Sequence, residues 1–169
     1  IDPEYVWEYM EGEVLFPLER GEITSEQFHG AVTDRFGLDL GFTEFAYIFS
    51  DIFELMPETV EFLESVRGKY KLCLLSNTNE MHWRFIDGRW QVGELFDHLI
   101  LSHEAKARKP EPEIYFKALE VTGATPEECV FLDDIPEYVE AARGLRINAI
   151  QFMYLEQALA DLQPLLGQG

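Results

Sequence analysis

The sequence predicts an α/β fold, a three-layer core built on a parallel sheet and preceded by a small all-helical subdomain. Three observations carry this. From about residue 69 onward, short apolar runs alternate with segments that carry helix start and stop signals. Residues 1–54 instead show apolar stripes at helical spacing and no strand-like run. Finally, polar residues follow apolar runs at Ser76 and Asp133, and Lys109 lies in a proline-marked loop between them. Groups gathered at the carboxyl ends of parallel strands show this pattern.

Taken in order, Thr24-x-x-Gln27 forms a capping box ahead of the stripe Phe28, Val32 and Phe36, which Gly37 ends. A second stripe, Phe45, Ile48, Phe49 and Ile52, follows Thr43. These two define the helical subdomain, residues 1–54, with the α/β core over 55–169. Pro57 and Gly68 bracket Val60, Leu63 and Val66, a helix entering the core. Strands follow at Tyr70 to Leu75, Leu99 to Leu101, Cys129 to Leu132 and Ala149 to Phe152, each an apolar run expected to be buried on both faces. Pro112 and Gly123 bracket a helix over Ile114 to Val121, Thr125-Pro126 opens a further turn, and Leu155, Leu159, Leu162 and Leu166 line a final helix. Cys73 and Cys129 sit inside strand runs and read as packed thiols, not a disulfide or metal pair.

The chain has 169 residues, is 47% hydrophobic and carries a formal charge of −19. Its apolar content suffices for a sizeable core. The charge argues against nucleic acid or anionic membranes as partners, because the field of the whole protein repels a polyanion. No apolar run has the length of a membrane span, and Asp2, Glu4 and Glu8 at the start do not resemble a signal peptide, so a cytoplasmic protein is expected. A phosphate substrate would have to be drawn in by a local cation.

Ser76 and Asn77 leave a strand, where a hydroxyl and an amide can hold phosphate oxygens without adding charge; an ordinary turn or helix cap is the alternative. Lys109, within Arg108-Lys109-Pro110, supplies a cation to offset phosphate, or else is a solvated loop lysine. Asp133 and Asp134 are adjacent carboxylates leaving an apolar strand, costly without a partner. Mg²⁺ is the natural partner for such hard oxygen donors, and capping of the next helix is the alternative.

In combination, Leu75-Ser76-Asn77-Thr78-Asn79, Arg108-Lys109-Pro110 with Glu113-Ile114-Tyr115, and Phe131-Leu132-Asp133-Asp134 with Glu140-Ala141-Ala142 resemble the second to fourth motifs of the haloacid dehalogenase superfamily. The resemblance is strongest to its Mg²⁺-dependent phosphatases, which have a Rossmann-like core. Glu19-Arg20-Gly21-Glu22-Ile23 and its surroundings look like the small helical cap of that family. The resemblance implies that Ser76 binds the transferring phosphoryl oxygen and that Lys109 neutralises phosphate and nucleophile. It also implies that Asp134 ligates Mg²⁺ with Asp133 in support, and that Asn77 adds a substrate contact. Tyr138, where an asparagine is frequent, and Arg146, where glycine is common, depart from the pattern.

The first motif of that family, an Asp-x-Asp ending the central strand, has no counterpart here. Asp39-Leu40-Gly41 looks like it, but no apolar run leads into it and it leaves no room for the cap before Ser76. Asp2 has no strand before it either. An N-terminal piece of about twenty residues, one strand and its loop, is therefore expected to complete the sheet and supply the nucleophile, and the chain without it is expected to be inactive. The activity implied for the intact protein is hydrolysis of a small phosphate monoester through an aspartyl-phosphate. The alternatives are a 2-haloacid dehalogenase, which has no use for the Asp133-Asp134 pair, and a catalytically silent binding domain.

Overall fold

The computed structural model describes residues 3–166, and Asp2 lies outside them. It opens with α1 (Pro3–Tyr9), a wide π-helical turn over Met10–Leu15 and α2 (Phe16–Glu19), with Pro17 in the first turn of α2 where its missing N–H costs nothing. α3 (Ser25–Phe36) starts at the expected capping box. The Gln27 N–H donates to Thr24 Oγ1 at 3.2 Å, and the Thr24 N–H donates to Gln27 Oε1 at 2.8 Å. Gly37 ends it at φ +62°.

α4 (Phe42–Ser50) begins after Gly41 and stops before Ile52. Only part of its expected stripe faces inward. Phe28 packs against the rings of Phe45 and Phe49, while Ile48 and Ile52 are exposed. The neighbouring helices cover one line of i,i+4 positions and no wider face. The helical core gathers Met10, Leu18, Phe28, Val32, Phe45 and Met81. Met81 comes from α6 (Glu80–Trp90), beyond the first strand, so the helical half shares its core with a helix of the α/β half.

α5 (Pro57–Val66) leads to β1 (Cys73–Ser76). The strand starts later than the apolar run suggested, because the Tyr70 N–H turns back to the Val66 carbonyl. β2 (His98–Leu101) pairs parallel with β1, Cys73 opposite His98 and Ser76 opposite Leu101. The short α7 (Ser102–Ala105) and α8 (Pro112–Thr122) then lead to β3 (Val130–Asp133). α9 (Pro136–Gly144) connects it to β4 (Asn148–Gln151), which pairs parallel with β3, Asp133 opposite Gln151. α10 (Leu155–Leu166) closes the described chain with Ala158 and Leu162 turned inward.

The strands form two separate two-stranded parallel sheets, and among the described residues no ladder joins β1 to β3. This modifies the expectation of strands buried on both faces. Ile100, Leu101 and Ile150 are buried, but β1 and β3 are only half-buried along their whole length. Among the described residues each has a strand neighbour on one side alone, so its other edge carries no ladder hydrogen bonds. Behind the strands, Ile100, Ala105, Ala107, Ile114, Tyr115, Ala142 and Ile147 form the second core, with Cys73, Cys129 and Phe131 packed on it. Both cysteines are free, and burial, with Cys129 nearby, pushes the Cys73 thiol up to about 11. Among the described residues no helix is long and apolar enough to cross a membrane.

Candidate active site

The ends of β1 and β3 meet at Lys109. At the end of β1, Ser76 is half-buried and its hydroxyl makes no hydrogen bond among the described residues. The following segment is held in place by the first residue of α7. The Thr78 N–H donates to Ser102 Oγ at 2.9 Å, and Ser102 Oγ donates to the Thr78 carbonyl at 2.8 Å, both residues being buried. Asn79 then caps α6, its Oδ1 accepting from the His82 N–H at 3.1 Å.

Asn77 spends its amide on the loop that carries Lys109. Its Oδ1 accepts from the Lys109 N–H at 2.7 Å, and its Nδ2 donates to the Lys109 carbonyl at 3.0 Å and to the Tyr138 hydroxyl at 3.2 Å. This reciprocal pair makes Asn77 a brace for Lys109. Lys109 is 7% exposed, which excludes a solvated loop lysine. Its ammonium donates to Asp133 Oδ2 at 2.5 Å and lies between the rings of Phe131, 5.6 Å away, and Tyr138, 5.2 Å away. Such aromatic faces favour a desolvated cation.

Asp133 and Asp134 divide their work. Asp133 gives one oxygen to Lys109 and the other to the Ile135 N–H at 2.9 Å, which tethers the start of α9. Asp134 is exposed, and its carboxylate has no hydrogen bond among the described residues. The lysine and two carboxylates sum to one negative charge, so an anionic phosphoryl group needs a further cation beside Asp134. The donor chemistry fits Mg²⁺, which takes one or two carboxylates and completes its shell with water and phosphate oxygens. Among the described residues no third His, Cys, Asp or Glu completes a ready-made metal cluster.

Ser76, Lys109, Asp133 and Asp134 thus come together from three distant segments. Asp39 lies exposed in the loop between α3 and α4, away from any strand. Ser102 and the Tyr138 contact to Asn77 have no marker in the sequence, since both depend on which segments the fold lays side by side. A local signal marks the cap role of Asn79, which is not among the expected caps: it is a residue of N-cap type directly ahead of Glu80 and α6.

Residues 4–145 match the model of the haloacid dehalogenase-like hydrolases. A phosphorylated carbohydrates phosphatase of Thermotoga maritima is 33% identical over 104 residues, covering 61% of this chain and 48% of its own. The chain thus spans about half the length of that relative. D-ribitol-5-phosphate phosphatase of Bacteroides thetaiotaomicron is 25% identical over 150 residues, 85% of this chain and 73% of its own. Among solved structures, an aspartate-to-alanine mutant of a HAD family enzyme from Bacteroides thetaiotaomicron, in complex with magnesium and inorganic phosphate, superposes with a TM-score of 0.79 at 26% identity. That superposition covers 89% of this chain and 86% of the other. With the family model spanning most of its length and the motif residues converging at the strand ends, this chain belongs to the haloacid dehalogenase-like hydrolases.

Proposed function

We propose that the intact protein is a cytoplasmic Mg²⁺-dependent phosphatase acting on a small phosphorylated metabolite. The observation that carries this reading is the buried Lys109, fixed by Asn77, which follows Ser76, and by Asp133, which precedes Asp134. Relatives named as phosphatases of phosphorylated carbohydrates and of D-ribitol-5-phosphate support the substrate class.

In this reading Ser76 Oγ donates to a phosphoryl oxygen, and the Lys109 ammonium offsets the charge that gathers there. Asp133 holds that ammonium at one height above the sheet. Asp134 would hold Mg²⁺, which when bound would supply positive charge to neutralise phosphate oxygens. The nucleophile would be an aspartate on a further parallel strand between β1 and β3, which among the described residues no ladder joins. Its carboxylate would attack phosphorus, the alcohol would leave, and water would then cleave the aspartyl-phosphate. Residues 1–54 act as the cap over this site, and 55–169 as the core.

The test is phosphate release by the intact protein from a panel of sugar and polyol monophosphates, with and without Mg²⁺. Turnover is expected to need the metal and to fall by at least about a hundredfold in Asp134→Ala and Lys109→Ala. Phosphate release that survives both chelation and Asp134→Ala would sink the reading, as would halide release from a 2-haloacid without metal in place of any phosphate release.

A further inference from the structure

The loop bearing Lys109 is gripped on its other side by the helical half of the molecule. Glu19, the last residue of α2, accepts from Arg108 Nε at 2.9 Å, and the two side chains are only 14% and 11% exposed. Arg20 donates from Nε to Glu111 Oε1 at 2.8 Å and also pairs with that oxygen through Nη2. The other oxygen of Glu111 accepts the Arg108 N–H at 3.1 Å. The Arg108 guanidinium lies 3.9 Å over the ring of Phe16, and Lys106 Nζ donates to the Gly21 carbonyl at 2.8 Å. The segment from Phe16 to Gly21 therefore holds the loop on both sides of Lys109, and Asn77 holds it at Lys109 itself.

Burying Glu19 raises its pKa despite Arg108 beside it, so desolvation consumes much of what the pair gains. The partly exposed Arg20–Glu111 pair adds little stability. What both pairs supply is geometry: two planar guanidinium groups fixing the loop by directed bonds.

We propose that Glu19 and Arg20 are positioning residues for Lys109, so that the seating of the helical subdomain sets where the site's ammonium stands. This rests on the phosphatase reading, in which that ammonium must meet a transferring phosphoryl group, and misplacement by about 1 Å is worth up to a hundredfold in rate. Displacing the helical half would carry the loop with it and disarm Lys109 without touching Asp134.

Glu19→Gln in the intact protein, followed by hydrogen exchange and steady-state kinetics, tests the proposal. Amides of residues 106–111 are expected to exchange about tenfold faster or more, with β3 and β4 unchanged. The value of kcat is expected to fall about tenfold while KM stays within about twofold, and Glu19→Asp is expected to restore part of it. Should Glu19→Gln fail to fold, Arg20→Gln on the more exposed pair gives the same readouts. Unchanged exchange overturns the proposal, as does faster exchange with unchanged kcat, or a raised KM at constant kcat. If the wild type releases no phosphate from any monoester, the phosphatase reading falls by itself. The exchange measurement then still decides whether the pair holds the loop.

Discussion

Lys109 shows how a short sequence signal becomes a site. Before Pro110 it could have been any loop lysine; its burial, its bond to Asp133 and its place between Phe131 and Tyr138 give it a fixed position. Asn77 is what holds the backbone beneath it. Replacing Asn77 by alanine strands the Lys109 N–H and carbonyl, and should cost about 1–3 kcal/mol of stability and about tenfold or more in kcat, with KM little changed. Thermal unfolding and steady-state kinetics check both, and a raised KM at constant kcat would return Asn77 to the substrate. The sequence led to Ser76, Lys109, Asp133 and Asp134 because each closes an apolar run or sits by a proline. The brace role of Asn77 stayed out of sight because its partner lies 32 residues away.

At the scale of elements, local rules held where the bonds are local. The capping box at Thr24, the stop at Gly37 and the proline starts of α5 and α8 involve residues a few positions apart, and each formed where the spacing put it. Expectations slipped at Tyr70, where the turn back to Val66 delays the strand, and at Ile48 and Ile52, which the packing leaves exposed. Gly21 joins the two halves: it has φ +62°, and a Cβ there would fall inside the His103 carbonyl oxygen of α7 and against the Lys106 ammonium. Gly21→Ala combines a left-handed backbone with a clash against main chain. It should lower stability by about 2–4 kcal/mol, read as a drop in the thermal midpoint. An unchanged midpoint would mean that the α2–α7 contact is loose in solution.

For the whole molecule, the joint between the helical half and α6 centres on His82. Its Nε2 lies 3.1 Å from the Phe49 carbonyl, its ring stacks on Phe49 at 4.3 Å and meets Phe53 edge-on at 5.0 Å. Burial pulls its pKa down to about 4, against a partial lift from the Phe49 carbonyl. The folded protein thus binds this proton more weakly than the unfolded chain does. Stability from the neutral ring is full above about pH 6.5 and is lost as pH falls towards about 4, by up to about 3 kcal/mol. Denaturant unfolding at pH 7 and 4.5 should show that extra loss in the wild type and not in His82→Gln. Equal losses in both would place the acid sensitivity among the carboxylates.

By itself the sequence determined the fold class, the helical first part, the order of strands and helices, and the residue types that collect at the strand ends. All of these follow from periodicity and from residues close along the chain, which act before any distant contact forms. Only the tertiary structure decided that β1 and β3 stand as separate pairs, that Asn77 braces Lys109 while Asp134 is left open, and that Glu19 and Arg20 reach Arg108 and Glu111. Those pairings join residues tens of positions apart. Which acid meets which base was therefore settled by how the helical half packs on the core.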